Sequence, residues 1–246
     1  VARLTLDGDV VELLEGRMPD SGVTVWLVDS PSHFAREGGP YVDQQGHDWP
    51  DNAQRFTLFC RVIVELAMGR TDLNWQPEVL HCNDWQTALV PALLSLEEER
   101  PASVFSIHNL AYQGRFPYTT FQQLGLPASL WHYSGVEFYG ELSMIKGGLA
   151  YADRLTTVSP TYAREICTPG LGHGLEGLLN YRCDRLSGIL NGVDYSVWDP
   201  ALDPLIAAHY SADNPTPKQH NKRALQRQLG LPLQDDAALL GVVSRL

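Results

Sequence analysis

The sequence has little positive charge, few cysteines and no long uninterrupted apolar run. Lysine and arginine together number 18, against 29 aspartates and glutamates, so the formal net charge is −11. A surface this acidic repels phosphate backbones and anionic lipids. The most apolar long stretch, Phe56 to Met68, carries Arg61 and Glu65 and is too short to span a bilayer. The sequence therefore predicts neither nucleic acid nor a membrane as a partner.

Cysteine and histidine patterns exclude two further kinds of site. None of the 4 cysteines forms a CxxC pair, and a chain of 246 residues folds without disulfides, which predicts reduced thiols in a cytoplasmic protein. The 8 histidines form no HExxH motif and no His/Cys cluster at zinc spacing. We expect no metal and no cofactor.

Composition and periodicity predict an α/β fold. With 44% apolar and 19% charged residues, the chain has the composition of an ordinary globular protein. Short apolar runs alternate with helical patterns, which is typical of a doubly wound parallel sheet covered on both faces. The predicted strands are 23–29, 79–81, 104–107, 155–158, 189–190 and 239–243. The predicted helices are one capped by Asp51 and running to about residue 67, then 87–96, 142–151, 162–166 and 218–229.

Polar clusters follow five of these strands. They are His81-Cys82-Asn83-Asp84, His108-Asn109, Ser159, Asn191-Gly192 and Ser244-Arg245. Any one cluster could simply turn the chain. Parallel strands end at one edge of a sheet, however, and ligands bind there. Five clusters along one edge indicate a site.

One glycine-rich segment has the residue spacing of a cofactor-binding motif. Residues Gly172 to Gly177 match the GxGxxG pattern of dinucleotide-binding proteins. They follow a turn and not a strand, so the strand–turn–helix context of that motif is missing. A loop that leads into a short helix is the favoured interpretation.

Several short sequence blocks, taken together in their order along the chain, are far more informative than any one of them alone. They are Asp29-x-Pro-x-x-Phe34-x-Arg36-x-Gly38-x-Pro40-Tyr41, Gly46-x-Asp48-Trp49-Pro50-Asp51-Asn52, His81-Cys82-Asn83-Asp84-Trp85, His108-Asn109-Leu110-Ala111-Tyr112-Gln113-Gly114, Lys146-Gly147-Gly148, Glu176-Gly177-Leu178-Leu179, Asn191-Gly192-Val193-Asp194 and Ser244-Arg245-Leu246. Together they resemble the glycogen and starch synthase family. Its members transfer glucose from ADP-glucose, or sometimes UDP-glucose, to the non-reducing end of an α-1,4-glucan.

The resemblance implies a Rossmann-like N-terminal lobe of a GT-B glycosyltransferase, incomplete at both ends. Residues 1–236 would be the acceptor-side lobe without its first strand–helix unit, and 237–246 the first strand of the donor-binding lobe. Two family features have no counterpart here: the opening Lys-x-Gly-Gly turn, and the rest of the C-terminal lobe with its catalytic glutamate. We therefore expect the missing lobe to be a partner, and this piece alone to be inactive.

The resemblance also implies three catalytic residues. His108 would lie against the donor glucose, and Asp84 would position the acceptor, although an aspartate there could instead cap a helix. Arg245 matches the arginine of a cationic pair that stabilises the departing diphosphate without a metal. Apart from the resemblance, His108 could be a structural histidine and Arg245 a surface charge.

Four further residues are implied at the acceptor pocket: Trp49, Trp85, Tyr112 and Asn191. Aromatic rings stack on the apolar faces of glucose, but most tryptophans and tyrosines are core or rim residues. Asn191 could bind a glucan hydroxyl or only form its turn. The Lys146 block matches the family, but its chemical role stays open.

Two alternatives to a glucan synthase remain at this point. The same aromatic and polar strand ends would suit a glucan-binding module that does not catalyse. Another enzyme of this architecture, such as a sucrose synthase or a phosphorylase, is the third interpretation. The Asp-Trp-Pro-Asp-Asn block and the block that begins at His108 argue against that third one.

Overall fold

The computed structural model describes residues 1–6 and 8–243. The chain divides into two compact units, one from Val1 to Leu190 and one that begins at Asn191. The lobe boundary predicted between residues 236 and 237 stays a prediction. Among the described residues, no helix has both the length and the apolar character that a membrane crossing requires.

An antiparallel sheet opens the first unit. Its strands, in spatial order, are β1 (Ala2–Leu6), β2 (Asp9–Arg17) and β3 (Thr24–Asp29). Val11 and Leu13 of β2 are buried while their neighbours are mostly exposed, as expected for a strand with one covered face. The strand predicted at 23–29 is confirmed. Its expected place in the parallel sheet is wrong, because it pairs antiparallel with β2.

Two helices follow, α1 at Pro31–Phe34 and α2 at Asn52–Ala67. One buried face of α2 packs against the first sheet. Asp51 precedes α2 as predicted, but its carboxylate makes no capping bond. It accepts a hydrogen bond from Arg36 instead, with Nη1 and Oδ1 2.6 Å apart, and this bond lowers the pKa of Asp51.

A parallel sheet is the centre of the first unit. The elements from residue 79 onward are β4 (Val79–Asn83), α3 (Leu89–Leu94), β5 (Ala102–Ile107), β6 (Arg115–Pro117), α4 (Tyr118–Gln123), β7 (Glu137–Phe138), β8 (Glu141–Ser143), α5 (Met144–Tyr151), β9 (Arg154–Thr157), α6 (Pro160–Glu165), α7 (Glu176–Tyr181), β10 (Leu186–Gly188) and, in the second unit, α8 (Lys218–Gln228). The parallel strands lie in the order β10-β9-β5-β4, and β6, β8 and β7 form a small antiparallel sheet. The predicted α/β fold is confirmed.

Some predicted elements need correction. The helix predicted at 142–151 begins at Met144, because Leu142 pairs in β8. The strand predicted at 189–190 lies earlier, since β10 ends at Gly188. No strand forms at 239–243, where Leu240 is 90% exposed. A strand needs hydrogen-bonded neighbours, and no described strand pairs with this segment.

The lysine–glycine–glycine block has a packing role. A Cβ atom at Gly148 would lie 2.6 Å from the ring of Phe105, so only glycine lets α5 approach β5 this closely. Lys146 is 6% exposed, and its Nζ donates to the carbonyl oxygens of Tyr133 and Glu137. Burial lowers the pKa of Lys146. The ammonium group therefore holds the start of β7 and the turn before it against α5.

Candidate functional site

The register of β4 and β5 brings Asp84 and His108 together. Asn83, the last residue of β4, pairs with Ser106 of β5, so Asp84 and His108 follow the ends of the two strands at the same edge of the sheet. The backbone N–H of Asp84 donates to the carbonyl of Ser106 at 3.0 Å. Oδ1 of Asp84 accepts the backbone N–H of His108 at 2.8 Å. Two of the three predicted catalytic residues therefore meet at the carboxyl edge, as expected.

Asp84 has a strained backbone, with φ at 55° and ψ at −176°. This region is populated mainly by glycine, and another residue held there costs roughly 1–3 kcal/mol. Asp84 precedes the short 3-10 helix Trp85–Thr87, but its side chain makes no capping bond. The alternative role as a helix cap is therefore wrong. The carboxylate holds the His108 backbone instead, and strain of this kind is typical of functional sites.

The imidazole of His108 is held by a residue that the sequence analysis did not single out. Nε2 of His108 lies 2.9 Å from Oδ1 of Asn83. Thr87 fixes the Asn83 backbone, because its hydroxyl accepts from the Asn83 N–H at 2.7 Å and donates to the Asn83 carbonyl at 2.8 Å. His108 and Asn83 are exposed, so this arrangement faces solvent. The place of Asn83 in the polar cluster that follows β4 was the available signal.

A row of polar side chains supports this edge from within the sheet. Nε2 of His81 lies 2.6 Å from Oγ of Ser106, whose hydroxyl also bonds that of Thr156. On the other face, the hydroxyl of Thr157 donates to the carbonyl of Ile107 at 2.8 Å. These bonds tie β4, β5 and β9 together just below the site. They fix the strand ends from which Asp84 and His108 project.

The predicted acceptor aromatics have different environments. Tyr112 is 64% exposed, so its ring is available to a ligand. Trp49 is partly buried, its Nε1 donates to the carbonyl of Gly39 at 3.2 Å, and the guanidinium of Arg36 lies 5.0 Å from its ring centre. One face of the Trp49 ring thus carries a cation instead of a sugar.

Trp85 fits the core alternative better. It is 9% exposed, its ring centre lies 4.7 Å from that of Phe56, and a Cβ atom at Gly114 would lie 2.4 Å from its ring. These contacts leave little ring surface for a sugar. Tyr41 covers Trp85 at 6.1 Å between ring centres and is itself 42% exposed. Tyr41 is thus a solvent-facing aromatic that the sequence analysis did not select.

Two predicted site residues cannot be placed beside the others. Arg245 lies outside the described residues, so its role stays a prediction. Asn191 is exposed in the second unit. The glycine-rich segment at 172–177 follows turn residues and leads into α7, as predicted. Gln113 donates to the carbonyl of His173 at 3.1 Å, which ties this segment to the loop that follows β5.

Comparisons with known proteins agree with the predicted resemblance. Residues 3–181 match the family described as the starch synthase catalytic domain. The chain is 56% identical over 239 residues to a glycogen synthase of Thioalkalivibrio sulfidiphilus, covering 97% of this chain and 50% of that protein. It is 53% identical to glycogen synthase 1 of Methylococcus capsulatus, covering 97% and 48%. The chain spans about half the length of the curated relatives it matches.

A solved structure shows the same fold. The chain superimposes on the catalytic domain of starch synthase IV from Arabidopsis thaliana, bound to ADP and acarbose, with a TM-score of 0.74 and 31% identity. The match covers 95% of this chain and 48% of that one. The parallel sheet and its helices therefore have the GT-B type of fold that the sequence predicted.

Proposed function

The chain belongs to the starch synthase catalytic domain family, and we propose from this that it forms the acceptor side of a glycogen synthase cleft. The complete enzyme would transfer glucose from ADP-glucose to the non-reducing end of an α-1,4-glucan, with retention, during glycogen biosynthesis. The relatives named glycogen synthase support this assignment, at 56% and 53% identity.

The observation that carries the proposal is the joined Asp84–His108 pair. It lies at the carboxyl edge of a parallel sheet, where α/β proteins bind their ligands. A 2.8 Å hydrogen bond joins the two residues, and Asp84 has a strained backbone. A simple turn of the chain would require neither feature.

The geometry suggests a division of roles. One oxygen of Asp84 is taken by the His108 N–H, and the other can accept a glucan hydroxyl and orient it for attack. His108 would hold the donor glucose. Tyr112 and Trp49 would stack on the glucan. Arg245 would stabilise the negative charge that develops on the departing diphosphate.

The substrates and setting follow from the same proposal. The ADP and acarbose of the Arabidopsis structure favour an adenine nucleotide sugar as donor and a saccharide acceptor. No metal or other cofactor is part of the proposed reaction, because cationic side chains would face the diphosphate. All four cysteines are free, which supports a cytoplasmic enzyme.

A chimera tests the function. This chain would replace the matching half of the Thioalkalivibrio glycogen synthase, and glucose transfer from ADP-glucose to a maltooligosaccharide would be measured. We expect activity in the chimera, none in this chain alone, and loss of activity with His108→Ala but not with His220→Ala, an exposed histidine of the second unit. A folded chimera that binds maltooligosaccharide without transferring glucose would contradict the proposal and favour a binding module.

A further inference from the structure

We propose that Asn83 is a positioning residue that holds the His108 imidazole through Nε2 and leaves Nδ1 to accept a hydrogen bond from a sugar hydroxyl. This inference rests on the proposed function for its purpose, but the arrangement itself can be tested without any reaction. The evidence is the orientation of the Asn83 amide, the attachment of both backbones, and the bonding of the two ring nitrogens.

The orientation of the Asn83 amide follows from its second contact. Its Nδ2 lies 3.5 Å from the carbonyl oxygen of His81, while its Oδ1 lies 2.9 Å from Nε2 of His108. The reverse rotation would place Oδ1 against the His81 carbonyl, where two oxygens repel and no hydrogen bond forms. The oxygen therefore faces the imidazole, and Nε2 carries the proton.

Both residues are attached independently of this bond. The Thr87 hydroxyl bonds the N–H and the carbonyl of Asn83, and the Asp84 carboxylate bonds the N–H of His108. With both backbones fixed, the bond between the Asn83 amide and the imidazole sets the direction of the ring. Holding an exposed side chain before the substrate arrives lowers the ordering cost of binding.

The remaining ring nitrogen is then an acceptor. Nδ1 of His108 makes no hydrogen bond to the described part of the chain. In a neutral imidazole with a proton on Nε2, Nδ1 carries a lone pair and accepts from an O–H group. Asn83 thus determines that His108 accepts from the donor sugar.

The tautomer can be measured by nitrogen NMR of the histidine rings in this chain. At about pH 8.5, where an ordinary imidazole is neutral, we expect His108 to show a single form with Nε2 protonated. Asn83→Leu has a similar shape but no acceptor, and it should shift both ring nitrogens towards the mixture of a free imidazole. Asn83→Asp keeps an acceptor oxygen and should retain the single form.

Two controls accompany the NMR measurement. The ring signals of His108 are identified by their absence from the spectrum of the His108→Gln variant. Asn214→Leu makes the same chemical change at an exposed asparagine of the second unit and should leave the His108 signals unchanged. Unchanged His108 ring signals in a folded Asn83→Leu chain would overturn the proposal, as would a wild-type ring protonated on Nδ1.

Kinetics in the chimera separate this inference from the proposed function. Asn83→Leu should lower kcat about tenfold or more while the KM for maltooligosaccharide stays the same, because a misdirected ring disturbs the reacting geometry. An inactive chimera with the expected NMR result would refute the function and leave the arrangement standing. An active chimera unaffected by Asn83→Leu would show that the reaction does not use it.

Discussion

The two ends of the parallel sheet are built in opposite ways. At the amino end, the guanidinium of Arg100 binds both carboxylate oxygens of Asp153 at 2.8 and 2.9 Å. Arg182, 8% exposed, donates to the carbonyls of Leu149, Ala150 and Ala152 at the end of α5. These polar side chains are hydrogen-bonded within the chain, and the amino end of the sheet therefore contributes stability.

The carboxyl end keeps strain and unfilled hydrogen-bonding capacity. Asp84 has a positive φ, and His108 is exposed with one ring nitrogen unbonded among the described residues. Such features cost stability and are kept where a ligand uses them. Substitutions at the carboxyl end should therefore chiefly reduce activity, whereas substitutions at the amino end should chiefly reduce stability.

Substitution of Asp84 should produce the largest effect, and that effect should fall on activity. In the chimera, Asp84→Ala should lower kcat by about 10²- to 10³-fold, because it removes both the contact to the acceptor and the bond to the His108 N–H. Asp84→Asn keeps an oxygen for that N–H and should lose less. Steady-state transfer assays check both variants. An equal loss of kcat in the two variants would show that only the charge of the carboxylate matters. It would contradict the proposed role of the bond between Asp84 and His108.

Substitution of Asp153 should chiefly affect stability. Besides Arg100, its carboxylate accepts the N–H and the hydroxyl of Ser103 at 2.7 and 2.9 Å. Asp153→Ala should lower the free energy of unfolding by about 2 kcal/mol, since charge-assisted bonds are lost and a guanidinium is left unpaired. Urea denaturation measures this, with Asp20→Ala, an exposed aspartate, as the control. A loss no greater than that of the control would contradict the contrast between the ends.

The contribution of Asp153 should depend on pH. Its bond to Arg100 holds the pKa of Asp153 well below its usual range. The stabilisation is therefore complete above the unfolded value of about 3.9 and is lost as the pH falls through the lower folded value. The difference in unfolding free energy between the wild type and Asp153→Asn should be constant from about pH 7 to pH 5 and shrink below about pH 4. A difference that grows on acidification would contradict this assignment.

The smallest predicted effect comes from the strain at Asp84. Asp84→Gly and Asp84→Ala both lose the carboxylate, but glycine accepts a positive φ without cost. The glycine variant should therefore be more stable than the alanine variant by about 1 kcal/mol. At Asp20, where φ is not positive, glycine should give no such advantage. Denaturation of the four variants would detect the difference.

Much of this architecture could be predicted from the sequence. Strand–helix alternation predicted the parallel sheet, and the polar ends of β4 and β5 predicted that Asp84 and His108 share one edge of it. The antiparallel partner of β3 was missed, because an apolar run such as Thr24–Asp29 has the same appearance in either kind of sheet. Its partner β2 was not predicted as a strand, so the hairpin that decides the sheet of β3 was not recognised.

Side-chain environments were harder to predict than strands. Trp85 carried the same aromatic signal as Trp49, but packing against Phe56 and the approach of Gly114 place it in the core. The contact between Asn83 and His108 depends on the register of β4 and β5 and on the rotation of an amide. Neither is visible in a single sequence.

Mapping of maltooligosaccharide binding on the isotopically labelled chain tests the account most directly. Titration to millimolar concentration should perturb the backbone amide signals of Asp84, His108 and Tyr112 at the carboxyl edge. Amides near Arg100 and Asp153 should stay unchanged. Perturbations confined to the amino end, or none at either end, would contradict the assignment of the sugar site to the carboxyl edge of this sheet.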